Sequence, residues 1–254
     1  AEVHNGYSTA QTVSFEAVIV DNDGTSVQTL TASSVIAAGA KFTFAKSATI
    51  PSPNLWYTRH PYMYKVYSIT KVGSVVKDVS ETPLGIRSFD FNKDTGFWLN
   101  GEHVKLHGWG QKPTGGWAGL GAGVPDWLRD FTYRLMDEAG GNFIRWGHCA
   151  GSPAEISMGD KYGFVTLMPG VCGEGDGEGA WDIRAAAFRD MIVYFRNNPS
   201  IFIWEGGNWA ASAAHFDDLT ASINTFDPNG LRRLGNRRAE VKANAENYTS
   251  IEVG

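Results

Sequence analysis

The sequence predicts a multidomain β + α/β chain, in which a β-sandwich is followed by an incomplete (β/α) barrel. Roughly the first 90 residues are short segments that alternate apolar and polar residues between turn residues, which is typical of sandwiches. After Gly96, strand-like and helix-like segments alternate, as they do when helices connect parallel strands. No glycine-rich nucleotide-binding motif follows the first of these strands, which favours a barrel over a dinucleotide-binding fold.

The β part begins with Thr12–Asp21, whose alternation predicts a half-buried strand. The residues Asp21–Gly24 predict a turn, because Asn, Asp and Gly tolerate positive φ angles. Lys41–Ile50 and Pro61–Val72 alternate again and predict two further strands. With the segments between and after them, the pattern predicts about seven strands over residues 1–88.

The α/β part begins with a predicted strand at His103–Trp109 and a predicted helix at Val124–Gly140. A whole barrel takes about 250 residues, more than this part contains. We therefore predict domains at 1–88 and 89–254, the second holding the first part of a barrel. Its later elements are, in order, the strand Asn142–Trp146, the helix Ser152–Gly163, the strand Phe164–Met168, the helix Trp181–Asn197, the strand Ser200–Trp204, the helix Ala210–Phe226 and the strand Arg232–Asn236.

The composition describes a chain that can build a large core and has no nucleic-acid signature. Of 254 residues, 43% are hydrophobic, and the net charge is −5 without a basic run, so we expect no nucleic-acid partner. No stretch approaches the roughly 20 apolar residues that span a bilayer, so we expect a soluble protein without membrane contact. The sequence assigns no compartment, and the periplasm and secretion are the two candidates. The two cysteines, Cys149 and Cys172, are too few for a disulfide scaffold or a closed zinc site.

Polar and aromatic side chains stand near the predicted carboxyl ends of five successive strands. Because the site of a (β/α) barrel lies at this end of its strands, we expect these side chains to form one pocket. They are His107 and Trp109; Arg145, Trp146 and His148; Glu174, Asp176 and Glu178; Trp204, Glu205 and Asn208; and Asn236 and Arg237.

Each of these residues also has a structural interpretation. Arg145 can pair with a carboxylate inside the barrel, Trp204 and the histidines can be packing residues, and the loop around Asp176 can be solvated. Glu205 is the strongest functional candidate, because a carboxylate after four apolar strand residues has to be hydrogen-bonded or paired.

Four segments resemble glycoside hydrolase family 2, the family of β-galactosidases, β-glucuronidases and β-mannosidases. The resemblance covers most of the chain and implies an immunoglobulin-like β-sandwich followed by a partial (β/α)8 TIM barrel. It also implies a retaining mechanism, with two carboxylates about 5–5.5 Å apart as nucleophile and acid/base. The segments are Asn54–Ser68, Glu81–Trp109, Gly140–His148 and Asn197–Asn208.

The resemblance assigns site residues, with one departure from the family pattern. The family acid/base follows the asparagine that matches Asn208, but Trp209 stands in that place. Glu205 is therefore the candidate acid/base, or supports the site. The nucleophile would come from a later strand. The secondary acid candidates are Glu174, Asp176 and Glu178, and the expected substrate-binding residues are Arg145, His148, Asn208, Trp109 and Trp204.

Three functions follow from these observations. The first is a retaining, β-galactosidase-like hydrolase, or a fragment of one, that acts on β-linked oligosaccharides without a cofactor or a metal. The second is a degenerate relative that binds carbohydrate without turnover. The third, a metal-dependent hydrolase using His107, His148 and Cys149 or Cys172, has the weakest support, because the spacing matches no ligand motif. The open edge of an incomplete barrel also predicts self-association or completion by another chain.

Overall fold

A computed structural model describes residues 1–92, 94–113, 116–170, 180–207, 212–236 and 248–250. The chain divides into two compact units. The first contains Ala1–Leu55 and Tyr62–Ile86, and the second contains Trp56–Pro61 and Arg87–Gly254. Whether 1–88 and 89–254 fold as separate domains stays a prediction.

The first unit is built entirely of antiparallel strands. Four of them form a sheet in the order β3-β2-β5-β6, and β1 pairs with β4 in a second sheet. Val13, Phe15 and Phe44 are among the buried residues of its core. The strands are β1 (Glu2–His4), β2 (Gln11–Val20), β3 (Ser26–Ile36), β4 (Lys41–Thr43), β5 (Tyr64–Val72) and β6 (Val75–Leu84).

Residues 1–88, all of which are described, contain six strands and no helix, one strand fewer than predicted. The predicted strand at Lys41–Ile50 is shortened to β4. The backbone N–H of Phe44 donates to the carbonyl of Ala1 at 2.8 Å, and no ladder pairing continues beyond it. Pro51 and Pro53 then follow, and neither has an N–H to donate to a ladder.

The second unit combines an antiparallel sheet with a parallel sheet and helices. A three-stranded sheet has the order β7-β8-β9, and a parallel sheet has the order β10-β11-β12-β13-β14-β15. The elements are β7 (Phe89–Asn92), β8 (Gly96–Leu99), β9 (Glu102–His103), β10 (Gly108–Gln111), α1 (Asp126–Glu138), β11 (Phe143–Trp146), α2 (Pro153–Tyr162), β12 (Val165–Pro169), α3 (Trp181–Phe195), β13 (Ile201–Glu205), α4 (Ala213–Phe226), β14 (Arg233–Asn236) and β15 (Tyr248–Ser250).

The expected combination of a β part and an α/β part is therefore present. Among the described residues, no helix is long and apolar enough to cross a membrane.

The first strand of the parallel sheet begins later than predicted. The sequence predicted a single strand at His103–Trp109. The ladder of β10 starts at Gly108, where a Cβ atom would lie 1.7 Å from the carbonyl oxygen of Phe143. Just before it, the N–H of His107 donates to the Asn142 side chain rather than to a strand. His107 therefore precedes β10 and does not stand at its carboxyl end.

The parallel sheet buries one face against the helices. Trp146 of β11, Met168 of β12 and Trp204 of β13 share a buried cluster with helical residues. Because side chains alternate along a strand, Arg145 and Glu205 point to the opposite face. The helical members of the cluster include Tyr133, Met136, Ile156, Phe188, Ile192, Phe216 and Leu219.

A register shift separates Phe202 from the regular ladder. Thr166 pairs with Ile201 and Leu167 with Ile203, so Phe202 has no register partner on β12. Its ring is fully buried. It packs against the rings of Trp56, Phe89 and Phe97, with centroids 5.6, 4.8 and 5.5 Å away, and the Arg87 guanidinium lies 4.4 Å from its centroid.

Two arginines converge on the carbonyl of Ile201, beside this aromatic group. Arg87 Nη2 and Arg232 Nε each donate to it at 2.7 Å. Arg232 also pairs with both carboxylate oxygens of Asp227, which in turn accepts from Trp204 Nε1 at 2.9 Å. Burial lowers the pKa of Arg87 to about 9, with the nearby Arg232 charge as a second cause.

A buried carboxyl group gives this unit a predicted dependence on pH. Burial raises the pKa of Asp160 to about 6 from its ordinary 3.8, and hydrogen bonds from Ser200 and Asn198 offset only part of that shift. The folded state therefore holds this proton more tightly than the unfolded chain does. The stabilisation is complete below about pH 4 and is lost as pH rises through about 6.

We expect the free energy of unfolding to decline between pH 4 and pH 6 through this group, and Asp160→Asn to remove that part of the slope. Urea unfolding at a series of pH values measures it. The same slope in both proteins would contradict the assignment.

Candidate active site

The centre of the candidate site is a buried ion pair between Arg145 of β11 and Glu205 of β13, which reaches across the intervening strand β12. Arg145 Nε donates to both carboxylate oxygens of Glu205 at 3.1 Å, and its Nη2 donates to Oε1. The side chains are 9% and 1% exposed. The predicted closeness of Arg145 and Glu205 is confirmed. Arg145 pairs with a carboxylate, as its structural interpretation predicted.

This geometry favours the supporting role for Glu205 over the acid role. A general acid has to carry a proton, but a guanidinium that shares two hydrogen bonds with a carboxylate favours the ionised form. The pair also neutralises most of the charge that Arg145 brings into the sheet. Glu205 therefore fits a residue that holds the arginine in place.

A second group of polar side chains, which includes the Lys112 ammonium, lies beside the pair, around Gly147. Lys112 Nζ is 3.5 Å from His148 Nε2. A Cβ atom on Gly147 would lie 3.7 Å from Lys112 Nζ and 3.9 Å from Arg145 Nη1. The N–H of Gly147 donates to the Gln111 carbonyl at 2.8 Å, which fastens the ends of β10 and β11 together. Arg145, His148 and Lys112 thus meet at one edge of the parallel sheet.

Trp109 and Trp204 lie on the other face of the sheet. Trp109 is in register with Ile144 and packs against the cluster under the helices, where a Cβ on Gly141 would meet its ring at 2.9 Å. Trp204 is fully buried in the same cluster. Their placement favours packing over the predicted contact with substrate.

Other predicted residues lie outside the described part of the chain. These are Asn208 and Trp209, the acid candidates Glu174, Asp176 and Glu178, and Cys172 and Arg237. Their roles stay predictions. In the described ranges, no three His, Cys, Asp or Glu side chains form a group that could hold a metal ion.

Lys112 is a candidate site residue that the sequence reading missed. It directly follows β10, whose carboxyl end was placed at Trp109 rather than at Gln111. A later start of that strand, at Gly108, would have moved Lys112 to a strand end and made it a candidate.

The chain matches known glycosidases. Residues 1–87 match the sequence profile described as "Glycosyl hydrolases family 2". The chain is 61% identical over 254 residues to a beta-glucuronidase of Formosa agariphila, covering 100% of this chain and 26% of that protein. It is 28% identical over 211 residues to beta-galactosidase BoGH2A of Bacteroides ovatus, covering 80% of this chain and 25% of that protein.

Solved structures agree with these relatives. A structure of a beta-glucuronidase from glycoside hydrolase family 2 superposes with a TM-score of 0.94 at 61% identity, covering 100% of this chain and 27% of that one. A beta-glucuronidase of Bacteroides uniformis gives a TM-score of 0.82 at 26% identity, covering 93% and 31%.

The chain thus spans about a quarter of the length of these curated relatives. It carries the family's profile over residues 1–87 and matches a family 2 structure over its whole length. The chain belongs to glycoside hydrolase family 2.

Proposed function

We propose that this chain is part of a retaining glycoside hydrolase that acts on β-linked glycosides of an acidic sugar, a β-glucuronidase. The single observation that carries the substrate class is the exposed Lys112 ammonium, which lies beside His148 and Arg145. The 61% identity to a beta-glucuronidase supports it and favours a glucuronide over the predicted galactoside.

The balance of charges at this edge of the sheet explains why it suits an anionic sugar. Glu205 pairs with Arg145, so the guanidinium has little charge left to offer. Lys112 is exposed and adds a full positive charge next to His148. A carboxylate that reaches this edge would form charge-assisted hydrogen bonds, which are about twice as strong as neutral ones. A neutral sugar would gain only the weaker kind.

A relative binds a ligand of the same kind. The beta-glucuronidase 2 of Bacteroides uniformis, 26% identical to this chain, is covalently bound to cyclophellitol-6-carboxylate aziridine. That ligand carries a carboxylate on a sugar-like ring. It supports an acidic sugar as the substrate class of the present chain.

The proton donor of the proposed reaction lies elsewhere than Glu205. A retaining mechanism needs one protonated and one ionised carboxyl group about 5–5.5 Å apart, and both oxygens of Glu205 already accept hydrogen bonds from Arg145. We assign the donor role to the acidic residues that follow β12 in sequence, Glu174, Asp176 or Glu178. Asn208 and His148 bind sugar hydroxyls in this proposal.

The finer description of the fold belongs to the same proposal. The antiparallel sheets of the first unit are part of an immunoglobulin-like sandwich, and the parallel sheet is the first part of a (β/α)8 TIM barrel. The strand–helix order from β10 to β14 and the position of Arg145 and Lys112 near carboxyl strand ends support this.

The test is substrate preference. The 254-residue chain, and any longer product of its reading frame, is assayed with nitrophenyl β-glucuronide and nitrophenyl β-galactoside. We expect the active form to prefer the glucuronide. We expect Lys112→Met to lower its kcat/KM by about 10- to 100-fold, the value of a charged hydrogen bond, with little effect on the galactoside.

Lys105→Met is the matched control, because Lys105 is exposed and precedes β10 at the opposite end of the strand. It should leave both rates unchanged. An equal loss on both substrates in Lys112→Met, or a preference for the galactoside, would contradict the acidic-sugar proposal.

A second function is favoured by Trp209. Where the family places a glutamate after the asparagine, a tryptophan follows Asn208 in this chain. A relative that binds an acidic sugar without cleaving it would retain the cationic edge and lack the donor. Isothermal titration calorimetry with glucuronate separates the two functions. If the longest protein made from the natural reading frame binds glucuronate but does not hydrolyse the glucuronide, this alternative is supported.

The open parallel sheet supports a proposal about assembly. Within the described strands, β10 and β15 each have one neighbour, and unpaired strand edges attract other chains. We propose that the 254-residue chain self-associates or is completed by another chain through such an edge. Light scattering over a concentration series tests this, and a monodisperse monomer at high concentration would contradict it.

A further inference from the structure

A small, partly open cavity lies outside the candidate site, among α1, the start of α2 and the ends of β10 and β11. Its polar lining comes chiefly from Arg129 and Tyr133 of α1, Trp146 of β11 and Glu155 of α2. It has room for about one water-sized molecule. The proposed hydrolase reaction uses none of these side chains.

Two buried side chains in the cavity lining carry a polar atom that has no hydrogen-bond partner in the described part of the chain. Tyr133 is 2% exposed and Trp146 is 1% exposed. Neither Tyr133 Oη nor Trp146 Nε1 has a hydrogen-bond partner among the described residues. Buried polar groups are almost always hydrogen-bonded to protein or ordered water, so the cavity is a built site for a hydrogen-bonding molecule.

The charges around the cavity decide the class of that molecule. Arg129 Nε is 3.5 Å from Glu155 Oε1, and these two charges offset one another. An anion would be repelled by the Glu155 carboxylate, and a cation would face the indole N–H and the guanidinium. A neutral molecule that both donates and accepts can bond the Trp146 N–H, the Tyr133 hydroxyl and the Glu155 carboxylate together.

We propose that this cavity is the binding site of one ordered water molecule. The water accepts from Trp146 Nε1 and Tyr133 Oη and donates to Glu155 Oε1. The other oxygen of that carboxylate already accepts from the N–H of Ser152 at 2.6 Å, in the capping box that starts α2.

The water site positions the end of β11. Trp146 directly follows Arg145 and precedes Gly147, which Lys112 and Arg145 both approach. The water joins the Trp146 indole to the start of α2 through Glu155 and to α1 through Tyr133. It is therefore a structural water that holds the strand carrying Arg145, independent of which sugar the protein binds.

The direction in which one substitution shifts the urea midpoint of unfolding tests the proposal. If the cavity were dry, Tyr133→Phe would remove an unsatisfied hydroxyl and raise the urea midpoint of unfolding. If water fills it, the same change removes a hydrogen bond, and we expect the midpoint to fall. Tyr162→Phe is the matched control, because its hydroxyl donates to Asp130 at 3.1 Å and the loss of that bond should lower the midpoint.

A high-resolution crystal structure of the unaltered chain provides a second measurement. We expect a density peak about 2.7–3.2 Å from Tyr133 Oη, Trp146 Nε1 and Glu155 Oε1. A raised midpoint in Tyr133→Phe would overturn the proposal. So would an empty cavity in a map that shows ordered water elsewhere in the protein.

Discussion

Glu205→Gln is expected to destabilise the second unit by about 3–5 kcal/mol, the usual cost of removing one partner from a buried ion pair. The substitution preserves the shape of the side chain but leaves the Arg145 guanidinium buried beside a neutral amide. All nine tryptophans lie in the second unit. Urea unfolding followed by tryptophan fluorescence therefore reports this unit alone.

Glu138→Gln is the control for that measurement. Its carboxylate lies 3.8 Å from Arg134 on the surface of α1, where an ion pair contributes about 0–1 kcal/mol. The double variant Arg145→Met with Glu205→Leu should recover most of the stability, because it removes both charges together. A loss in Glu205→Gln no larger than in Glu138→Gln would show that the pair is not buried in solution.

Phe202→Ala is expected to cost about 3–5 kcal/mol. The ring is fully buried among Trp56, Phe89 and Phe97, and the guanidinium of Arg87 packs against it. Its removal leaves a cavity and takes an aromatic face away from a buried cation. The same fluorescence-detected unfolding measures the effect.

Tyr194→Ala serves as the control for this second substitution, because Tyr194 is an aromatic residue of the same unit that is 65% exposed. We expect a change of about 0.5 kcal/mol or less there. Similar losses in both variants would mean that the aromatic group around Phe202 does not form.

The strand–helix order could be predicted from local signals. The helix α2 has Ser152 as its N-cap and Pro153 at its first position, and Gly163 ends it with a φ of 76°. These residue types determine helix ends through backbone geometry alone. The neighbouring positions of Arg145 and Glu205 also followed from sequence, since parallel strands bring their carboxyl ends to one edge.

The faces and registers could not be predicted in the same way. The strand Ile201–Glu205 is buried on both faces, so an apolar run does not show that Trp204 faces the helices. The start of β10 depends on how closely Gly108 approaches Phe143, which is a tertiary contact. Because the strand was predicted to end at Trp109, Lys112 did not stand at a predicted strand end and was not named as a candidate.

The converging bonds at Ile201 have a consequence for the order in which the chain folds during synthesis. The bond from Arg87 joins positions 114 residues apart, and that from Trp56 to the Asp160 carbonyl joins positions 104 apart. In the first unit, β2 pairs with β3 and β5 with β6 as hairpins, and the longer β2–β5 pairing joins positions no more than 59 residues apart, Val13 with Val72. Local pairings form early and distant ones late, because loop closure must be completed first. The first unit can therefore fold while the ribosome is still making the second, whose core waits until Ile201 has emerged.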